Sequence, residues 1–152
     1  MNADLTYLAP RAELYAGWRR LYGAYGASVG DSIDDEIARK VWSWLLHGTH
    51  RLGAVLALRP DAGVVAFAHY RPFPRTLHGN EACYLDDLYV DAPHRGQGIA
   101  MDLVRRVREI STQSGWTEVR WVTAAQNVRA RRIYERIAAR SDLITYRLAV
   151  SA

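Results

Sequence analysis

The 152-residue sequence predicts an α/β protein whose mixed central β-sheet is flanked by helices. Two observations carry that reading. Apolar residues recur at helical spacing in four segments and cluster at strand length in five more. The segments follow one another in the order ααβββαβαβ, which requires helices laid over a sheet rather than a bundle or a sandwich. No repeat, linker or low-complexity tract interrupts them, so residues 1–152 are expected to form a single domain.

The elements are read in chain order. After a short opening segment, "LTYLAP", comes "RAELYAGWRRLYGAYG", where Leu14, Trp18, Leu21 and Tyr25 fall at steps of four, three and four. Tyr15 and Tyr22 lie beside that stripe, and the spacing predicts an amphipathic helix. Asp34, Asp35 and Glu36 crowd the start of a second helix, where negative charge complements the helix dipole. Its apolar face is expected from Ile37, Val41, Trp44 and Leu45. "RLGAVLALR" and "GVVAFAHYRPF" are β-prone runs separated by the turn signal "PDAG", and predict a hairpin. A loop containing Pro72, Pro74 and Gly79 leads to the strand "EACYLDDLYV". A glycine turn then opens a helix whose Ile99, Leu103, Val107 and Ile110 share one face. "EVRWVTAA" predicts a further strand, "NVRARRIYERIA" a fourth helix and "DLITYRLAV" a final strand.

Composition narrows the function classes. Hydrophobic residues at 49% and charged residues at 24% are typical of a globular fold. No stretch reaches the roughly 20 apolar residues of a membrane span, and no signal peptide is read at the N-terminus. One cysteine, Cys83, allows no intrachain disulfide, so a cytoplasmic location is expected. The net charge of +4 could fit a nucleic-acid partner, but the arginines are interspersed with acids, so none is expected. The active form is expected to be a homodimer.

Chemistry concentrates in the second half. Between a strand and a helix, "APHRGQGIA" offers consecutive backbone N–H groups at a helix start, a concavity suited to an anion. Glycines there admit a phosphate without a Cβ in the way, and Arg95 can add a charge-assisted hydrogen bond. The alternative is a tight turn and nothing more. Asp86 and Asp87 are adjacent on a strand and should point to opposite faces unless a bulge intervenes. One of them could attract a cationic amine and relay its proton; equally, both could sit at an exposed edge. Trp18, Tyr22 and Tyr25 could wall a pocket for an ammonium, or simply fill the core. Cys83 has no neighbouring histidine in sequence and reads as a core residue. His47 and His50 lack a further ligand for a metal, and no metal site is expected. Glu81 reads as a solvated charge, and the arginines of the third and fourth helices as solvated faces.

"LDDLYVDAPHRGQGIA" followed by "TAAQNVRARRIYERI" resembles the GNAT superfamily of acyl-CoA-dependent N-acetyltransferases, over roughly Gly63 to Val150. The pyrophosphate-loop pattern Arg/Gln-x-x-Gly-x-Gly/Ala is matched by Arg95, Gly98 and Ala100, and Asn-x-x-Ala-x-x-x-Tyr by Asn127, Ala130 and Tyr134. The aromatic first helix and "LDDLYV" are most similar to the diamine and polyamine acetyltransferase branch. One departure is that Ile137-Ala138-Ala139 stands where relatives often carry glycine.

The resemblance implies a single-domain GNAT fold and acetyl-CoA as cosubstrate, with a small primary amine attacking directly in a ternary complex. It implies that the loop Arg95-Gly96-Gln97-Gly98-Ile99-Ala100, with Asn127 and Ala130, holds the cosubstrate. Leu88, Tyr89 and Val90 would pair with its pantetheine arm. The first two helices would line the acceptor cleft. An amine must be neutral to attack a thioester, and the departing thiolate needs a proton, which Tyr134 could supply as general acid. Acetylation of a protein or peptide, or a non-catalytic acyl-CoA sensor, are the alternatives.

Overall fold

The structure is a computed structural model that describes residues 4–150. It divides into two compact units between Val122 and Thr123. The first contains a five-stranded sheet in the order β1 (Thr6–Leu8), β2 (Gly53–Arg59), β3 (Gly63–Arg75), β4 (Asn80–Val90) and β5 (Val119–Arg120). Neighbours from β1 to β4 run antiparallel, while β4 and β5 run parallel, so the sheet is mixed. The expected α/β fold is therefore present in this unit.

Both faces of the sheet are covered, which is why β2 and β3 read as nearly continuous apolar runs. On one face lie α1 (Tyr15–Ser28) and α2 (Asp35–His47), whose Trp18, Leu21, Ala38, Trp42 and Leu45 pack with Leu56, Val64 and Phe67. On the other lies α3 (Ile99–Gln113), where Ile99, Leu103 and Val107 pack against Val55, Ala57, Val65 and Cys83. Asp34 caps α2, its Oδ1 accepting from the Ile37 N–H at 2.8 Å. The core face of α2 differs from expectation: Ala38, Trp42 and Leu45 are buried, whereas Ile37 is exposed and Val41 and Trp44 turn towards a pocket. A helix apolar on more than one side does not reveal from spacing which stripe meets the sheet.

Pro72 and Pro74 lie inside β3 rather than in a loop. Beyond Tyr70, β3 pairs only with β4, so it has a free edge there. Proline is tolerated at such an edge because the ladder does not need its missing N–H. The turn proper is residues 76–79.

The second unit contains α4 (Val128–Tyr134). This helix is shorter than the pattern from Asn127 onwards implied. The strand expected over "EVRWVTAA" is confined to Val119–Arg120, and the strand expected over "DLITYRLAV" is not formed. Alternating apolar residues express a propensity for strand, but a strand exists only where another pairs with it.

Candidate active site

A pocket of about 510 Å³ opens between α1, α2 and the middle of β3 and β4. Its lining includes Tyr22, Trp44, His69, Arg71, Asp86 and Asp87. Two adjacent strand residues reach it together because the ladder slips: His69 pairs with Asp87, but Tyr70 pairs with Leu85. Asp86 is the extra residue of a β-bulge, which re-aims its side chain. The bulge that sequence alone left as a condition is present.

The two carboxylates have different surroundings. Asp87 Oδ2 lies 2.9 Å from Nδ1 of His69, and the Tyr25 hydroxyl also donates to Asp87. Burial pushes the Asp87 carboxyl upward, yet the His69 and Tyr25 hydrogen bonds outweigh it and leave Asp87 below the usual aspartate range. For Asp86, burial dominates over the Arg71 guanidinium, and the neighbouring Asp87 charge adds to it, so the carboxyl is raised. Arg71 Nε stands 3.3 Å from Asp86 Oδ1. It also lies 3.1 Å from Oδ2, outside hydrogen-bond geometry, so that Asp86 Oδ2 is buried without a donor. One carboxylate is thus held ionised and satisfied, while its neighbour is shifted towards accepting a proton.

His69 was not singled out by the sequence and is the best-connected residue here. It is 1% exposed, and its Nε2 accepts from the Trp18 indole N–H at 2.9 Å. Trp18 is fully buried, so it supports the pocket from behind instead of walling it. Of the three aromatic residues expected at the pocket, Tyr22 lines it, and its phenol is pushed up to about 12 by burial and the Asp87 charge. Tyr25 meets the rings of Phe67 and Tyr89 edge to face and directs its hydroxyl at Asp87. His50, also at the pocket, has φ of 60°, and Arg51 after it has φ of 56°. Both lie in a left-handed region that costs non-glycine residues energy. Arg51 is anchored by Glu81, with Nη2 to Oε2 at 3.0 Å, so Glu81 is paired rather than merely solvated.

The glycine turn closes the other end of β4. Gly96 and Gly98 have φ of 80° and 82°, and Gly98 precedes α3 without any side-chain cap. The first amides of α3 therefore have no side-chain partner of the usual kind. A Cβ built on Gly98 meets nothing within 4 Å, so the turn is open on that side. Arg95 braces the turn, its Nε donating to the Val90 carbonyl at 2.9 Å with the guanidinium over the Tyr89 ring. Arg59, at the end of β2, reaches Gln97 Oε1 through Nη2 at 2.5 Å. Its Nε is buried without a hydrogen-bond partner, which adds a cation that sequence reading did not foresee. An uncapped helix start, left-handed glycines and an unsatisfied guanidinium donor form a set that fits a pyrophosphate.

Beyond Tyr84, no described strand pairs with the outer edge of β4, because β5 meets only Cys83 and Tyr84. Apart from the Val90 carbonyl, which accepts from Arg95, the main-chain groups of residues 85–89 on that side have no strand partner among the described residues, an arrangement that suits an extended ligand. Leu88, Tyr89 and Val90 lie on this stretch.

Several other groups have clear places. Cys83 is buried and its thiol is pushed up by burial, the opposite of an activated nucleophile. Arg106 is not a solvated charge but lies over the Tyr7 ring at 4.2 Å, beside the Tyr7 hydroxyl that donates to Asp102 at 3.0 Å. In the second unit, Asn127 is the N-cap of α4, its Oδ1 accepting from the Ala130 N–H at 3.2 Å. The Asn-x-x-Ala spacing therefore has a local structural use. Tyr134 ends α4, and burial raises its phenol, which keeps it protonated at neutral pH.

Comparison with known proteins places these features in context. Residues 14–139 match the acetyltransferase (GNAT) family. The chain is 28% identical to the D-amino-acid N-acetyltransferase HPA3 of Saccharomyces cerevisiae, over 86% of this chain and 81% of that protein. It is 34% identical to the thialysine N-epsilon-acetyltransferase of Bos taurus, over 37% of this chain and 33% of that protein. A solved structure described as a probable acetyltransferase superposes with a TM-score of 0.85 at 23% identity, covering 97% and 99% of the two chains.

Proposed function

The chain belongs to the acetyltransferase (GNAT) family and is an acetyl-CoA-dependent N-acetyltransferase; from that premise we propose that its acceptor is a small cationic amine bound against Asp86 and Asp87. The observation that carries the reading is the bulge, which turns two half-buried carboxylates of unlike proton affinity into one aromatic-walled pocket.

The residues have distinct roles in this proposal. Asp87 draws in the ammonium and stays ionised. Asp86, through Oδ2 or an intervening water, takes a proton from the ammonium and leaves a neutral amine. The amine nitrogen bonds to the thioester carbon as the carbon–sulfur bond breaks, and its second proton leaves to water. The Tyr134 phenol gives its proton to the departing thiolate, and water restores it. The glycine turn and Arg59 hold the pyrophosphate, and the free edge of β4 aligns the pantetheine. Tyr22 and Trp44 offer ring faces to the cation.

A second reading is favoured by Arg71, a cation in the same pocket with only its Nε engaged by Asp86. Its remaining N–H groups suit a carboxylate, so an amine that carries one, an amino acid, would find a partner for each charge. The names of the yeast and bovine relatives point the same way. The test is a panel of diamines, their amino-acid counterparts bearing a carboxylate in both configurations, and peptides, with acetyl-CoA and thiol release as readout. Preference for diamines supports the first reading and preference for amino acids the second. A peptide as far better substrate overturns both, and no thiol release with any amine leaves an acyl-CoA sensor.

A further inference from the structure

Behind the pocket runs a chain of hydrogen bonds that no substrate touches first. The Trp18 indole can only donate, so its 2.9 Å contact fixes Nε2 of His69 as an acceptor. The proton of a neutral imidazole is then on Nδ1, aimed at Asp87 Oδ2 at 2.9 Å. Trp18 is 0% exposed and His69 1% exposed, so water does not compete for either bond. The rings of Phe67 and Tyr22 enclose the imidazole, with centroids 4.6 Å and 5.4 Å away. The charged or titratable groups around it are Asp87 and Asp86 from β4, Arg71 from β3, Tyr22 and Tyr25 from α1, and His50 across the pocket.

We propose that Trp18 and His69 form a buried relay that aims and holds the Asp87 carboxylate, so that Asp87 remains an acceptor of substrate N–H while Asp86 receives the amine's proton. His69 is then a positioning residue acting through Asp87. This rests on the amine-acetyltransferase reading above, because it assigns the work of the two carboxylates in that reaction. The reasoning is geometric: a histidine in the other tautomer would place two donors at Trp18 and leave Asp87 Oδ2 facing a bare nitrogen. The indole N–H excludes that arrangement. The proton balance closes in three transfers: the ammonium gives one proton to Asp86 and a second to water as the amide forms, and the thiolate takes one from Tyr134, which water restores, so that one proton reaches solvent per turnover.

Nitrogen-15 NMR of the histidine rings near neutral pH reads the relay without any substrate. The expected signature for His69 is a protonated Nδ1 and a bare Nε2, and Trp18→Phe should convert it to a mixture of tautomers. Kinetics then test its effect. His69→Leu, at saturating acetyl-CoA and with CoA affinity checked as the control for folding, should lower kcat/KM for the best amine on the order of 100-fold, the loss expected from a misplaced group. Its acid limb should move to higher pH, since Asp87 loses the hydrogen bond that favours its charge. His69→Asn keeps an N–H near the position of Nδ1 and should recover much of the loss and return the limb towards that of the parent. A merely structural histidine would leave the limb in place. A parent-like pH profile in His69→Leu, no advantage of asparagine over leucine, or a protonated Nε2 in the parent overturns the relay. Absence of turnover with any amine would instead remove the acetyltransferase reading, and the NMR signature would still decide whether Trp18 and His69 are linked as described.

Discussion

At the residue scale the site is a contrast between two adjacent carboxylates. Asp86 is raised by burial, with Arg71 opposing, while Asp87 is lowered because His69 and Tyr25 outweigh its burial. Asp86→Asn should therefore reduce kcat/KM for a cationic acceptor by on the order of 100-fold, the scale of a lost general base, and should affect a neutral aromatic amine much less. Parent-like turnover in the folded Asp86→Asn, Asp87→Asn double variant would remove the carboxylates from the mechanism. The same contrast predicts a stability effect. A carboxyl whose folded pKa is depressed stabilises the fold above its unfolded value, roughly 3.9, and loses that contribution as pH falls through the folded value. The stability difference between the parent and Asp87→Asn should thus be largest near neutral pH and close at strongly acid pH, as followed by denaturant titration. Tyr134→Phe removes the proposed acid and should lower kcat with little change in acetyl-CoA binding. A parent rate where chemistry limits would exclude that role.

At the element scale, two backbone approaches decide how the parts meet. The glycine turn before α3 places Gly98 with φ of 82° and open space beyond it. Gly98→Val strains this backbone and adds bulk to the turn proposed to hold the pyrophosphate, and should weaken CoA binding at least about tenfold, as a lost charge-assisted hydrogen bond would. Calorimetry on a folded variant measures it, and unchanged affinity would move the pyrophosphate elsewhere. The second approach is α1 against the start of β3. A Cβ on Gly17 would stand 2.8 Å from Cγ2 of Val64, which is itself buried. Alanine favours a helix over glycine by about 1 kcal/mol, but overpacking costs roughly 1–3 kcal/mol. Gly17→Ala should therefore destabilise the fold modestly, and Val64→Ala in the same chain should relieve the clash. A double-mutant cycle showing no coupling would contradict this packing.

At the scale of the whole molecule, charge and topology set what can bind. Several of the arginines are paired with acids: Arg19 with Asp35, Arg20 with Asp91, Arg51 with Glu81, and Arg75 and Arg120 with Glu118. These pairs intersperse basic charge with acidic, so binding to duplex DNA at about 0.15 M salt should be negligible. An electrophoretic shift at micromolar protein would refute that. No described helix is long and apolar enough to cross a membrane. The sheet is bulged at Asp86, and beyond Tyr84 the outer edge of β4 pairs with no described strand, so that edge and both carboxylates belong to one strand.

Much of this was legible in the chain itself, because it is local. Helical spacing located α1 and α3, the "PDAG" signal located the β2–β3 turn, and the glycines before Ile99 announced a helix start. Each depends on residues a few positions apart, whose preferences follow from their own backbone and side-chain geometry. Tertiary structure decided the rest. The slip that brings Asp86 and Asp87 together is a property of how β4 registers against β3, and neither strand encodes it alone. His69 looked like one polar residue in a buried strand until Trp18, 51 positions earlier, was brought to its Nε2. Arg59 joined the glycine turn through Gln97, 38 positions away. The alternating apolar residues of "DLITYRLAV" carried strand propensity but found no partner strand. Local sequence sets what a segment prefers, while hydrogen bonds between distant groups exist only after the chain has closed the loops between them, and that closure belongs to the fold as a whole.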